Sequence, residues 1–474
     1  MNWTLTGIRI NSQAKKLTYA WLFFSVFTLI FAGIFAFLVA MVRTPFIQEF
    51  LPKQKDYFYT ALVGHVDLAV VIWFLAFMGV LWTVSLAGFS GIRTNYLPAW
   101  IGLGVSAAGT VLVIITALFG LGSPILSNYI PVITHPLFYA GIIMFGLGLL
   151  ITIIDALIAV RHVIKKRVYP ESLPAASFGM AVSAVVVLIA IICFILAFYF
   201  LKIPSVDDAF FERLFWGGGH ILQFANTIGM VVVWLLLAAL CLKTAPLSER
   251  GAKFLLLYYL VFALPAPILF FVYNIHSHAY KDAFTRLMQF GLGPSTVIFA
   301  FLILRAIWQN KNSKLKTQNS KLMWSDPGFS SLVMSIIIFA AGGVISLTIH
   351  GSNVKIPAHY HGVIGGVTLA FMGLAYHLLP LIDREVLFKK LAKVQPYLYG
   401  GGQFLFVLGL FLAGSHGVQR KTFGTEQNLD SMMKLLGMGT MGIGGILAIL
   451  GGAVFVINIL SSMLSSRSGK YSES

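Results

Sequence analysis

The sequence predicts an all-α, polytopic membrane protein of twelve transmembrane helices, and three observations carry that reading. Hydrophobic residues make up 58% of the 474 residues and charged ones only 10%, with a mean hydropathy of +0.88; soluble domains carry roughly 25% charged residues. Apolar runs of the ~20 residues that a helix needs to cross a hydrocarbon core recur twelve times. The Lys and Arg residues divide by side of the membrane. With the N-terminus inside, alternate loops place 22 of the 33 on the inner side and 11 outside, as the positive-inside rule requires. The net charge of +17 is therefore a mark of membrane topology, and nucleic-acid binding is not expected.

Taken in order, the runs cover 17–41, 58–88, 96–120, 136–160, 174–201, 215–242, 254–278, 283–308, 329–350, 358–380, 397–414 and 435–460. Together they read as one membrane domain over 1–474, with 1–16 a cytoplasmic N-terminal segment and 461–474 a cytoplasmic tail. The first run follows a polar, partly basic start and lacks a small-residue cleavage site, so it reads as a retained span. The inner loops hold Arg161, Lys165, Lys166 and Arg167, then Lys311, Lys314, Lys316 and Lys321, then Arg384, Lys389, Lys390 and Lys393. Cys193 and Cys241 lie inside runs without a partner motif and read as packing residues. No Cys-x-x-Cys-His is present to attach a haem covalently, and no cysteine pair to hold a copper centre. Asp155, an acid inside the fourth run, is a functional candidate by default, although Arg161 and His162 nearby equally suit a structural ion pair. His135, before a proline at a helix start, reads as interfacial.

The chemistry lies in the histidines. Pro357-Ala358-His359-Tyr360-His361-Gly362 opens the tenth run, and residues two apart on a helix are turned by about 200°. His359 and His361 therefore face opposite sides and serve separate ligands. The second run contains Gly64-His65-Val66-Asp67. The sixth begins Phe215-Trp216-Gly217-Gly218-Gly219-His220, whose glycines let a helix or a flat macrocycle approach the backbone. The seventh ends Tyr273-Asn274-Ile275-His276-Ser277-His278. Six of the eleven histidines thus gather at the outer halves or ends of four runs. His65 and His361, on separate helices at similar depth, suit the two axial positions of one low-spin haem, which transfers electrons because no position is left for substrate. His359 on a second haem leaves an axial position open. His220, His276 and His278 suit a copper or non-haem iron facing that position, and such a pair of metals is a site for a small diatomic molecule. Asp67, two residues from His65, points elsewhere; orienting a ligand is one role open to it, and carrying a proton or capping the polar end of the bundle are the favoured ones.

These residues, in this order and on these runs, resemble the catalytic subunit I of the haem-copper oxidase superfamily, and the resemblance covers essentially the whole chain. It implies the subunit I-like twelve-helix bundle, two non-covalent haems and a copper or iron centre. It also gives Gly417-Val418-Gln419-Arg420-Lys421 a role, because Arg420 and Lys421 resemble the family's basic pair that holds haem propionates. Three departures stand out. Phe224 occupies the place, four residues after the sixth-run histidine, where well-known oxidases have a redox-active tyrosine. One branch of the family takes that tyrosine from the seventh helix, so Tyr273, or less well Tyr259, is the expected substitute. His276-Ser277-His278 replaces adjacent histidines, so both bind the metal or only one does. The usual proton-channel lysine of the eighth run and glutamate of the sixth are missing, which leaves Ser295, Thr296 and Thr348 to line a water path, unless they bond back to the backbone.

The resemblance implies a terminal respiratory reductase of the bacterial or archaeal cytoplasmic membrane. His359, His220, His276, His278 and Tyr273 would form its catalytic set, reducing dioxygen to water or, as the alternative, nitric oxide to nitrous oxide. Electrons would arrive on the outer face from a cytochrome c or cupredoxin, as a subunit or a soluble protein, or from a quinol. A transporter also has many spans but places polar residues at broken helices near the midplane, whereas these histidines lie near one surface. A haem protein without turnover is a further alternative.

Overall fold

The computed structural model describes residues 10–47, 55–87, 95–165, 173–202, 207–311, 323–422 and 424–465. Lys166, Arg167, Lys314, Lys316 and Lys321, from the basic inner loops, lie outside them. Among the described residues twelve helices are long and apolar enough to span a membrane, as composition and run length require. The most apolar stretch of the sixth, Asp208–Leu242, is almost wholly buried, and those of the second and tenth mostly so. Those three spans carry His220, His65 and the His359/His361 pair. Helix ends extend past the apolar runs where a polar residue closes the first turn. Asp207 accepts from the Phe210 N–H at the start of the sixth, and Asp326 accepts from the Gly328 and Phe329 N–H groups before the ninth, Pro327–Ser346, which satisfies donors that a helix start otherwise leaves open.

The seventh span departs from one continuous helix. It runs Glu249–Ala263, tightens into a short 3₁₀ turn at Ala266–Ile268 and resumes over Leu269–Val272. Pro265 and Pro267 explain the break, because each lacks an N–H and its ring crowds the preceding turn. The second span also deviates, with a π-helical stretch at Asp67–Ile72 between Lys55–Val66 and Trp73–Ala87. Such wide turns concentrate at functional sites.

The chain forms two compact units. One comprises Met1–Ser25 and Val71–Ser313, the other Val26–Val70 and Lys314–Ser474. In the first, the third span (Leu97–Leu118) pairs with the fourth (Pro136–Lys165), and the fifth (Ala175–Leu201) with the sixth. A two-residue-per-strand hairpin, Pro124–Ile125 against Val132–Ile133, closes the connection between the third and fourth spans. In the second unit the ninth span packs along the tenth (Lys355–Leu378), and the eleventh (Lys389–Ser415) along the twelfth (Met432–Leu464). The ninth and tenth meet at Gly342 and Gly362. A methyl at Gly342 would lie 2.7 Å from the His359 carbonyl oxygen and the Val363 nitrogen, so only glycine permits this crossing. The Ser335 hydroxyl donates to the Gly366 carbonyl at 2.6 Å along the same seam.

Candidate haem and metal centre

The second unit brings together His65, His359 and His361, each half-buried. His65 Nδ1 lies 3.1 Å from the Ala32 carbonyl of the first span, and His359 Nδ1 lies 2.8 Å from the Gly342 carbonyl of the ninth. A carbonyl only accepts, so each Nδ1 carries the hydrogen and each Nε2 keeps its lone pair. That is the arrangement a metal-binding imidazole needs, with its orientation fixed by the second ring nitrogen. The His361 ring packs on Phe406, with centroids 4.6 Å apart, and both His65 and Arg43 are near enough to act on it electrostatically.

Beside these rings, Arg43 adds a positive charge that the sequence did not single out to that of Arg420 and Lys421. Arg43, the last residue of the first span, reads in the sequence as an ordinary outer-loop charge. In the fold its Nε and Nη2 are buried without a hydrogen-bond partner among the described residues. Arg43 and Arg420 both act electrostatically on Tyr360. The Arg420 loop is anchored at each end. The Val354 N–H donates to the Val418 carbonyl at 3.0 Å and the Tyr59 hydroxyl to the Lys421 carbonyl at 3.2 Å, and Lys421 adopts a left-handed backbone with φ 60°. Two arginines sharing one neighbour, one with two guanidinium nitrogens buried and unpartnered among the described residues, call for an anion. Haem propionates are such anions, and charge-assisted bonds from arginine to carboxylates are among the stronger hydrogen bonds. The residues of this unit thus fit haem: His65, His361 and His359 have the imidazoles that would hold it, and Arg43 and Arg420 the charge that would face its carboxylates.

Asp67 is buried, and both its carboxylate oxygens lack a hydrogen-bond partner among the described residues. It opens the π-helical stretch two residues after His65, and neither a cap nor an ion pair accounts for it.

In the first unit the three histidines expected at the second metal are placed differently from one another. His220 is buried, with Nδ1 2.7 Å from the Trp216 carbonyl and Nε2 3.0 Å from the Tyr129 hydroxyl. His276 and His278 are exposed, the first in a turn where its N–H donates to the Asn274 side chain at 2.9 Å, the second at the start of the eighth span, His278–Lys311. Among the described residues these three do not bring ligand nitrogens within 4.8 Å of one another. With both nitrogens of His220 engaged by protein groups, the set as it stands does not fit a metal ion.

Tyr273 is 36% exposed, just past the short Leu269–Val272 helix. Tyr259 is fully buried, its hydroxyl 2.8 Å from the Thr296 hydroxyl. Ser295, Thr296 and Thr348 all bond to backbone carbonyls, of Leu255, Leu292 and Ile345 respectively, which is the bland alternative to a water path. Phe224 is fully buried against Gly291, where a methyl would meet its ring at 2.6 Å. Tyr129 escaped notice in the sequence, because nothing local distinguishes a lone tyrosine in an uncharged loop.

Comparison with known proteins shows the family and the fold. Residues 16–454 match the family model described as cytochrome c and quinol oxidase polypeptide I. An uncharacterized protein of Rickettsia prowazekii is 28% identical over 94% of this chain and 96% of its own length. The cytochrome c oxidase subunit 1 of Thermus thermophilus is 23% identical over 80% of this chain and 71% of its own. The fold is similar to that of a heme-copper terminal oxidase dimer solved by cryo-electron microscopy, with a TM-score of 0.80 at 21% identity, covering 98% of this chain and 86% of that one.

Proposed function

The chain belongs to the cytochrome c and quinol oxidase polypeptide I family, the haem-copper oxidoreductases of the membrane, and on that premise we propose that it is the gas-reducing subunit of a terminal respiratory reductase. Members of the family typically bind haems and a copper or iron centre. The observation that carries the proposal is the gathering of His65, His361 and His359 in one unit, with Nδ1 of His65 and of His359 on a backbone carbonyl. Bound haem supplies one-electron chemistry, and gas binding wherever an axial position is open.

His65 and His361 would together hold one haem, which would serve to receive electrons and not to bind the gas. His359 holds the second from one face. With haem bound, the Arg43 guanidinium and Arg420 would face its propionates, and Lys421 would add positive charge. These cations would also offset negative charge gained on reduction. The Ala32 and Gly342 carbonyls keep the ring hydrogens of His65 and His359 on Nδ1, so that neither ligand changes tautomer as the charge changes. Electrons come from a cytochrome c or cupredoxin partner on the outer face, or from a quinol, and the setting is a bacterial or archaeal cytoplasmic membrane with both termini on the cytoplasmic side.

Dioxygen is the favoured substrate, supported by the similarity to oxidases. Nitric oxide is the second reading, favoured by Phe224, which cannot supply the electron and proton that a tyrosine gives when dioxygen is split. Optical and paramagnetic-resonance spectra of the purified protein test the haem assignment: two haems per chain are expected, one of them six-coordinate. Dioxygen and nitric oxide consumption by that same preparation then chooses between the substrates, and a preparation without haem refutes the reading.

A further inference from the structure

The Trp216 carbonyl can only accept a hydrogen bond, so His220 Nδ1 carries the ring hydrogen and Nε2 of the neutral ring carries the lone pair. The Tyr129 hydroxyl, 3.0 Å from Nε2, donates to that lone pair. A metal ion binding this imidazole at Nε2 needs the same electrons, so phenol and metal compete for one site.

Tyr129 is held there by several independent features. It sits between the two strands of the Pro124–Ile133 hairpin with φ 69°, a left-handed backbone that bulky residues rarely adopt. On one side the Asn128 N–H and Nδ2 donate to the two carboxylate oxygens of Glu212 at 2.9 and 2.7 Å, and Glu212 lies 3.7 Å from Lys281. On the other the Ser127 hydroxyl donates to the Ile130 carbonyl at 2.6 Å. Gly219 makes room, since a methyl there would lie 2.3 Å from Tyr129 Cγ. The Tyr129 ring meets Trp216 edge-on at 6.0 Å and packs 4.8 Å from the His220 ring. His276 and His278 are exposed, while His220 is buried.

We propose that Tyr129 occupies the lone pair of His220 that a metal would take, so that the first unit carries a buried tyrosine–histidine pair in place of a histidine-bound second metal. The pairing departs from what the family membership leads one to expect. It stands whichever gas is reduced.

The test uses the haem-loaded full-length protein, purified from cells supplied with copper and iron. Copper, total iron and haem are measured on one sample for the wild type and for His220→Ala. The expected result is iron accounted for by haem, and copper far below one per chain, in both. Copper or non-haem iron equimolar with the wild-type chain and lost in His220→Ala, with the haem spectrum retained, overturns the proposal. Copper or non-haem iron that remains equimolar with the chain in His220→Ala overturns it as well, because a second metal is then held by other ligands. A second measurement does not depend on metal content. The tyrosine C–O band in the infrared spectrum that disappears in Tyr129→Phe is expected to shift in His220→Ala, and an unshifted band refutes the pairing. Loss of haem from the wild type would instead count against the gas-reduction reading, leaving the infrared result to decide this one.

Discussion

Replacing Arg43 by methionine is expected to move the stability of the haem-free and haem-loaded protein in opposite directions. In the haem-free fold two nitrogens of the guanidinium are buried without a partner among the described residues, and Arg420 acts on the same neighbour, Tyr360. A buried donor left unsatisfied costs about 1–3 kcal/mol, and more when charged. Methionine keeps much of the length and the apolar contact of arginine without needing a partner, so the haem-free variant should be more stable by roughly 1–3 kcal/mol. In the loaded protein the guanidinium donates to a propionate, a charge-assisted bond contributing about 1.5–3 kcal/mol. Removing it should speed haem loss about 10- to 150-fold if the difference falls on dissociation. The assays are thermal melts of the detergent-solubilised haem-free protein and transfer of haem to a high-affinity scavenger. A haem-free variant that melts below the wild type, together with an unchanged rate of haem loss, would show that Arg43 serves the fold and not a propionate.

Other substitutions probe the remaining parts. His361→Ala should reduce the haem content from two to one per chain and remove the six-coordinate signal from the paramagnetic-resonance spectrum; retention of that signal would mean that His361 is not an axial ligand. Gly342→Ala would place a methyl 2.7 Å from two backbone atoms of the tenth span, so a loss of about 1–3 kcal/mol from overpacking is expected, visible as a lower melting temperature with weaker occupancy of the haem on His359. Burial raises the pKa of the Asp326 carboxyl, but the His377 hydrogen bond and the Phe329 and Gly328 N–H groups outweigh it and hold it below the usual carboxylate value. A depressed folded pKa means that Asp326 stabilises the protein above the ordinary carboxylate pKa of about 3.9 and loses that contribution as the pH falls through the lower folded value. Asp326→Ala should therefore cost about 0.5–2 kcal/mol near neutral pH, as a lost helix cap does, with the gap to wild type closing in strong acid; a gap that stays constant with pH would leave the cap as a shape effect alone.

The spans were legible because hydropathy is a property of short segments, and a bilayer demands the same of each segment wherever it lies in the chain. The seventh span shows the limit of that reading. Its apolar run is continuous, but Pro265 and Pro267 interrupt the hydrogen-bond ladder inside it, so a single predicted helix became a helix, a tight turn and a short resumption. The fate of the candidate hydroxyls shows another. Ser295, Thr296 and Thr348 are the right residues for a water path, but each donates to a backbone carbonyl, one turn back for Thr296 and Thr348 and on the seventh span for Ser295.

By itself the sequence determined that the chain crosses the membrane, how many times, and which histidines stand on which spans, because residue type and local periodicity settle those matters. Only the tertiary structure decided what each histidine nitrogen faces. Ala32 reaches His65 across 33 positions, Gly342 reaches His359 across 17, and Tyr129 reaches His220 across 91. A carbonyl partner leaves an imidazole its lone pair and a phenol takes it, so the difference between a ligand and a hydrogen-bonded histidine arises from packing between distant segments, which no local pattern records.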